Sequence, residues 1–329
     1  MKTQQAHSSG RDAVRQLPDP RTAPDAVPTI WLNLVCLDAP LVATAWLWLF
    51  ARTFVVPFQI GNAVALFLTA WLIYLADRFA DATALKRNLP RSLRQDFCLR
   101  HREIWIAAVA LVAGFDAYVI WRTTAFQTFL VGAVVGALAV VYLVVNHPLG
   151  RVWRSLPAKE LAIGILFAAG TMVALLPHPR WTPPFAIAVV LFAALCALNC
   201  ISIATWEREL DLAQRKVSIA TLHPSVARHV RTLCVVLALG AFTLAVALRS
   251  AAPVFSCVGA SALLLGWLGV SPSSKSVVAT ALGRRTNARS GNQSGLRRQS
   301  AVATTSDQRT ALADLVLLTP VVVLIVSAL

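Results

Sequence analysis

"PFQIGNAVALFLTAWLIYLADRFAD", residues 57–81, poses the question on which the fold turns. Its first twenty residues carry no charge, and about 20 mostly apolar residues are what a helix needs to cross a bilayer. The run then ends on Asp77, Arg78 and Asp81. A carboxylate beside hydrocarbon is costly, so acids at that depth suggest function, with a plain interfacial ion-pair cluster as the bland alternative.

Runs of this kind recur along the chain, near 31–51, 103–121, 125–145, 158–176, 182–205, 232–248, 253–271 and 311–328. The composition agrees: 57% of residues are hydrophobic and 14% charged, where a soluble domain carries about one quarter charged. The expected fold is all-α, a polytopic membrane protein with nine transmembrane helices. It forms one membrane domain over 31–329, preceded by a polar, Pro-containing tail at 1–30 that is expected to be disordered. The Ser-, Arg- and Gly-rich loop 272–310 cannot bury a core and is read the same way.

The basic residues test this count. With nine spans, the tail and the loops after the even-numbered spans hold 26 of the 30 Lys and Arg, leaving Arg52, Arg122, Arg180 and Arg249 for the other side. Cytoplasmic loops collect Lys and Arg, so the N-terminus is expected in the cytoplasm and the C-terminus outside, in a cell or inner membrane. The net charge of +15 then describes membrane orientation; membrane lipids are an expected partner and nucleic acid is not. The six cysteines include no CxxC pair, so neither a disulfide framework nor a thiolate metal site is expected.

Two of the loops resemble one another. "DRFADATALKRNLPRSLRQDFCLRHR" (77–102) and "WERELDLAQRKVSIATLHPSVARHVR" (206–231) each begin with acids and continue with bases. Asp77 and Asp81 are four residues apart, as are Glu207 and Asp211, so each pair shares a helix face. Both pairs sit at helix C-termini, where the helix dipole is already negative and a carboxylate is unfavourable. One such pair reads as an interfacial cluster; the second, at the matching end of another span, turns the reading towards a site. Mg²⁺ suits it, because this ion bridges one or two carboxylates to phosphate oxygens and keeps several waters. A lipid diphosphate has the matching shape, with Arg78, Lys86, Arg87, Arg215 and Lys216 available to neutralise its head.

"ADRFAD" (76–81) and "NCISIATWERELD" (199–211) resemble the two Asp-rich motifs of the UbiA-type intramembrane prenyltransferases, whose first motif has the form NDxxDxxxD. "PAKELAIGILFAAG" (157–170) and "RTALADLVLLTP" (309–320) are similar to the family's fifth and ninth spans. The resemblance implies nine helices and transfer of a prenyl group from a prenyl diphosphate to an acceptor, typically aromatic. It implies Mg²⁺ on Asp77 with Asp81 and on Glu207 with Asp211, and substrate binding by Arg78, Asn199, Arg215 and Lys216. The chain departs from the pattern at Ile73–Tyr74, where the family has Asn-Asp, and at Cys200 and Ala204, where acids are frequent. Two other classes stand beside this one: a non-catalytic isoprenoid-binding or assembly protein of the same fold, and an ion-coupled transporter. Of the other acids in or near the spans, Lys159–Glu160 and Asp314 are expected in structural pairs, and Asp116 near the outer interface. His147 is a weak metal-ligand candidate, and Asp38 could line the cavity.

Overall fold

The computed structural model describes residues 28–86, 89–146, 158–177, 182–269 and 308–328. Among them every regular element is helical and there is no strand. In chain order the helices are α1 (Pro28–Leu34), α2 (Asp38–Thr53), α3 (Ile60–Thr83), α4 (Leu93–Arg100), α5 (Arg102–Thr123), α6 (Phe126–Asn146) and α7 (Lys159–Met172). They continue as α8 (Pro183–Trp206), α9 (Arg208–Gln214), α10 (Ile219–Leu222), α11 (Val226–Ala247) and α12 (Ala252–Leu268). Last come α13 (Gln308–Val316) and α14 (Thr319–Ala328).

Six of these are long and apolar enough to cross a membrane: α3, α5, α6, α8, α11, and α12 with the short turn before it. The chain is therefore a multi-pass membrane protein. All nine expected stretches are helical, but not as nine uniform spans. α2 has 16 residues and α7 has 14, and the last stretch is a pair of helices bent by 45°. The bend follows from Pro320, which has no N–H to offer the Val316 carbonyl four residues earlier. Ser261 Oγ, from α12, donates to that carbonyl at 2.9 Å, and Trp46 Nε1, from α2, donates to Leu317 O at 2.8 Å. The first stretch is broken between α1 and α2, where Cys36 takes a φ of 60° and Trp71 Nε1 donates to Val35 O at 3.0 Å. Trp46 and Trp71 thus serve as donors to backbone carbonyls at helix breaks.

Other boundaries also move. The tail expected to be disordered over 1–30 enters α1 at Pro28. The loop expected over 272–310 meets α13 at Gln308. The remainder of both, with Arg87, His147 and Arg180, lies outside the described residues.

The main core gathers α2, α8, α11 and α12 around an aromatic stack, with Trp46 and Phe192 rings 4.4 Å apart and Phe50 beside them. α7 lies close against α8: a Cβ on Gly164 would come 2.5 Å from the Ala197 nitrogen. That approach needs glycine and brings the faces carrying Glu160 and Asn199 towards a common space. α6 lines the cavity described below with one face and leaves Leu130, Val134, Leu138 and Val141 exposed on another. An outward face this apolar suits hydrocarbon, not water.

Candidate functional site

α3 does not stop at Ala76. It continues to Thr83 and carries Asp77, Arg78 and Asp81 on regular helix. α8, in contrast, stops at Trp206, and Glu207 is the junction from which α9 sets out. α9 ends in a Schellman-type turn, in which the Lys216 N–H reaches Asp211 O at 2.8 Å and Arg215 N–H reaches Leu212 O at 3.1 Å. Arg215 takes the left-handed φ of 58° that closes this turn. The reversal sends Lys216 back towards α3 and leaves Arg215 exposed.

The two loops then lock together. Ser92 and Gln95 form a capping box that starts α4. Gln95 and Gln214 exchange hydrogen bonds, and Gln214 Nε2 donates to Pro90 O at 2.9 Å. Above the acids the charges cross between loops. Lys216 Nζ pairs with Asp81 Oδ2 at 2.7 Å, while Arg94 of α4 forms an ion pair with Glu207. Thr310 Oγ1, from α13, donates to the same Glu207 oxygen at 2.9 Å. Arg78 Nη2 donates to Tyr74 Oη at 2.7 Å, with the guanidinium carbon 4.7 Å from the ring centre.

Beneath this layer lies a cavity of about 530 Å³, within the range of small-ligand sites. Asp77, Arg78, Asp81, Glu207, Asp211 and Lys216 line one end of it. The rest of the wall is largely apolar, from Leu66, Leu143, Ile163 and Phe167 to Phe129 and Val173. A small polar space of about 30 Å³, room for about one or two waters, sits against Asp81, Glu207 and Asp211 under Arg94 and Gln214. All four acids expected from the sequence therefore meet at one place, with Arg78 and Lys216. Asn199 lines the cavity too, but deeper, and its Nδ2 donates to Asp314 Oδ1 at 2.8 Å. Arg215 lines neither space.

Could these residues hold Mg²⁺? Among the described residues, no three His, Cys, Asp or Glu side chains are gathered closely enough to form a metal site by themselves. Mg²⁺ does not require that, since one or two carboxylates with substrate phosphate and water suffice. The charge state favours an added cation: burial and the neighbouring Glu207 carboxylate push Asp211 up from its ordinary 3.8 to about 6, against the opposing pull of Lys216. The acids fit the ion as two pairs, not as a preassembled cage.

Of the other acids, Glu160 and Asp314 are paired with neighbouring helices, as expected, while Asp116 and Asp38 lie elsewhere than the sequence placed them. Glu160 is buried and accepts from Ile219 N at 3.0 Å, capping the first turn of α10. Asp314 is paired with Asn199 on the cavity wall, and Asp116, expected near the outer interface, is buried and accepts from Thr69 Oγ1 at 2.8 Å. Asp38 is buried and does not line the cavity. Sequence reasoning missed Arg94 and Thr310. The capping-box spacing Ser92-x-x-Gln95 was the available signal that Arg94 lies on a helix; Thr310 had none. Comparison with protein-family models, curated proteins and solved structures finds no match to this chain.

Proposed function

We propose that this chain is a nine-helix membrane protein of UbiA-like architecture. In it, a prenyl group passes from a prenyl diphosphate to an acceptor within the membrane, with Mg²⁺, at a site open to the cytoplasm. The observation that carries the reading is the meeting of Asp77, Asp81, Glu207 and Asp211 at one end of a largely apolar cavity. A charged head fits at the acids and a hydrocarbon chain fits between the helices.

Asp77 with Asp81 and Glu207 with Asp211 would hold the metal. When bound, Mg²⁺ neutralises the charge that builds on a departing diphosphate. Lys216, Arg94 and Arg78 stand close enough to exchange their present partners for phosphate oxygens. Such exchange keeps the charges paired when the acids turn to metal. Tyr74 and Phe167 present aromatic rings on the cavity wall, and a ring face attracts a cationic allylic carbon. The carbon–oxygen bond breaks, the carbon bonds to the acceptor, and the acceptor loses a proton.

The test is binding of radiolabelled farnesyl and geranylgeranyl diphosphate to the purified protein, with Mg²⁺ and with EDTA. Binding should require Mg²⁺ and fall at least about tenfold in Asp81→Asn and in Asp211→Asn, the loss of a charge-assisted contact. Binding of neither lipid, or equal binding in EDTA, would remove the diphosphate site. A second reading has its own support. Ile73, Tyr74, Cys200 and Ala204 all line the cavity, and they stand where the resembled family carries polar groups. A non-catalytic isoprenoid-binding protein would show the same Mg²⁺-dependent binding with no release of diphosphate when candidate acceptors are added.

A further inference from the structure

The cavity has a second polar patch, apart from the four acids. Asn199 precedes Glu207 by eight residues on α8, which sets it about 12 Å deeper by helical rise. Asn199 and Asp314 are each at least nine-tenths buried, and both line the cavity. Their 2.8 Å hydrogen bond fixes the orientation of the amide, because a carboxylate oxygen accepts from Nδ2. Among the described residues, Asn199 Oδ1 then has no hydrogen-bond partner, and neither does Asp314 Oδ2. Behind Asp314 lies the carboxyl of Asp38, which is held by Asn33 Nδ2 at 2.5 Å and by Ala39 N at 3.0 Å.

A buried acceptor left without a donor is costly, and this one sits on a largely apolar wall. Any proton held between the two carboxyls would satisfy Asp314 but not the Asn199 oxygen. That oxygen asks for a donor from a ligand. We propose that Asn199 and Asp314 form a recognition site for a hydroxyl group on an apolar body, an aromatic or isoprenoid alcohol, and that Asn33 and Asp38 are positioning residues for Asp314. The inference rests on the transfer reading above for its role, since such an alcohol would be the acceptor, but the site is defined by its own oxygens. A built site that must hydrogen-bond a hydroxyl rejects an analogue lacking it far more strongly than a purely apolar pocket rejects a small change in size.

The experiment uses the full chain in lipid nanodiscs, with empty nanodiscs subtracted for partition into lipid. Equilibrium dialysis compares 2-naphthol with 2-methoxynaphthalene, and farnesol with its methyl ether. In each pair only the donor is removed. Wild type should prefer the hydroxyl member of at least one pair by roughly tenfold or more, the effect of one unmade buried hydrogen bond, and which pair does so identifies the aromatic or the isoprenoid source. Asn199→Leu should bring that ratio to near one without weakening the ether. Asp38→Asn should lower the ratio while ether binding persists. Equal binding of both members in both pairs overturns the site, a result that needs no variant to fold. An unchanged ratio in Asn199→Leu overturns it also. Prenyl diphosphate binding is read in the same nanodiscs. Hydroxyl preference without diphosphate binding upholds the site and sinks the transfer reading; diphosphate binding without hydroxyl preference sinks the site alone.

Discussion

The two loops that look alike in sequence behave differently in the folded chain. In the first, the acids ride on an unbroken helix, α3, and the bases follow on a separate short helix, α4. In the second, the long helix breaks at Glu207 and the acids begin a short helix of their own. One acid of each loop finds its cation in the other: Asp81 takes Lys216, 135 positions away, and Glu207 takes Arg94, 113 positions away, while Asp96 and Glu209 pair with Arg91 and Arg208 of their own loops. At the cavity, similar order along the chain therefore produces reciprocal pairing between the loops. The two pairs also differ in depth. Side-chain exposure is 7% and 16% for Arg94 and Glu207, against 26% and 28% for Lys216 and Asp81.

That difference in depth ranks the outcomes. Arg94→Ala should be the most destabilising change, by about 3 kcal/mol, because removing one partner of a buried pair leaves the other charge uncompensated. Chemical unfolding in detergent measures it, and a loss under about 1 kcal/mol would place this pair with ordinary surface pairs.

Next in size is a pH effect at Asp211. Its folded value of about 6 stands above the ordinary 3.8, so between those values the folded chain binds more protons than the unfolded one. Stability must fall as pH rises through that window, by roughly 2 kcal/mol once solvent near the site is allowed for. Asp211→Asn should remove the slope. Mg²⁺ competes for the same carboxylate, so its affinity should rise as pH passes about 6. A flat profile in the wild type would mean that Asp211 is neither held out of water nor within the field of Glu207.

Lys216→Ala should cost only about 1 kcal/mol in stability, as expected of a more exposed pair. A double-mutant cycle with Asp81→Asn isolates that coupling, and a value near that for Arg94 and Glu207 would erase the contrast. Smallest is Arg215→Gly. Glycine accepts the left-handed backbone that arginine holds at a cost of about 1 kcal/mol, so this substitution should raise stability slightly. Because Arg215 faces outward, prenyl diphosphate affinity should change less than the tenfold expected of a charged contact. A larger loss would return Arg215 to the site.

Much of this was legible along the chain. The apolar runs locate the helices because twenty consecutive side chains without charge permit little else in a bilayer. The four-residue spacing of each acid pair requires only local helix geometry, and all four acids do line one cavity. The length of single helices was less legible. Pro320 announces a break, yet whether the chain bends or stops there depends on Ser261 and Trp46, which supply the lost donors from α12 and α2.

The amino-acid sequence by itself determined the helical class, the multi-pass character and the faces on which Asp77, Asp81, Glu207 and Asp211 lie, because each depends on neighbours within a turn or a run. Only the tertiary structure decided that Arg94 guards Glu207, that Lys216 turns in while Arg215 turns out, and that Asn199 meets Asp314 on the cavity wall. Those are choices among partners more than a hundred positions apart, made by the packing of helices and by the need to pair every buried charge. A pattern of residue types along one helix carries no record of which other helix will supply the partner.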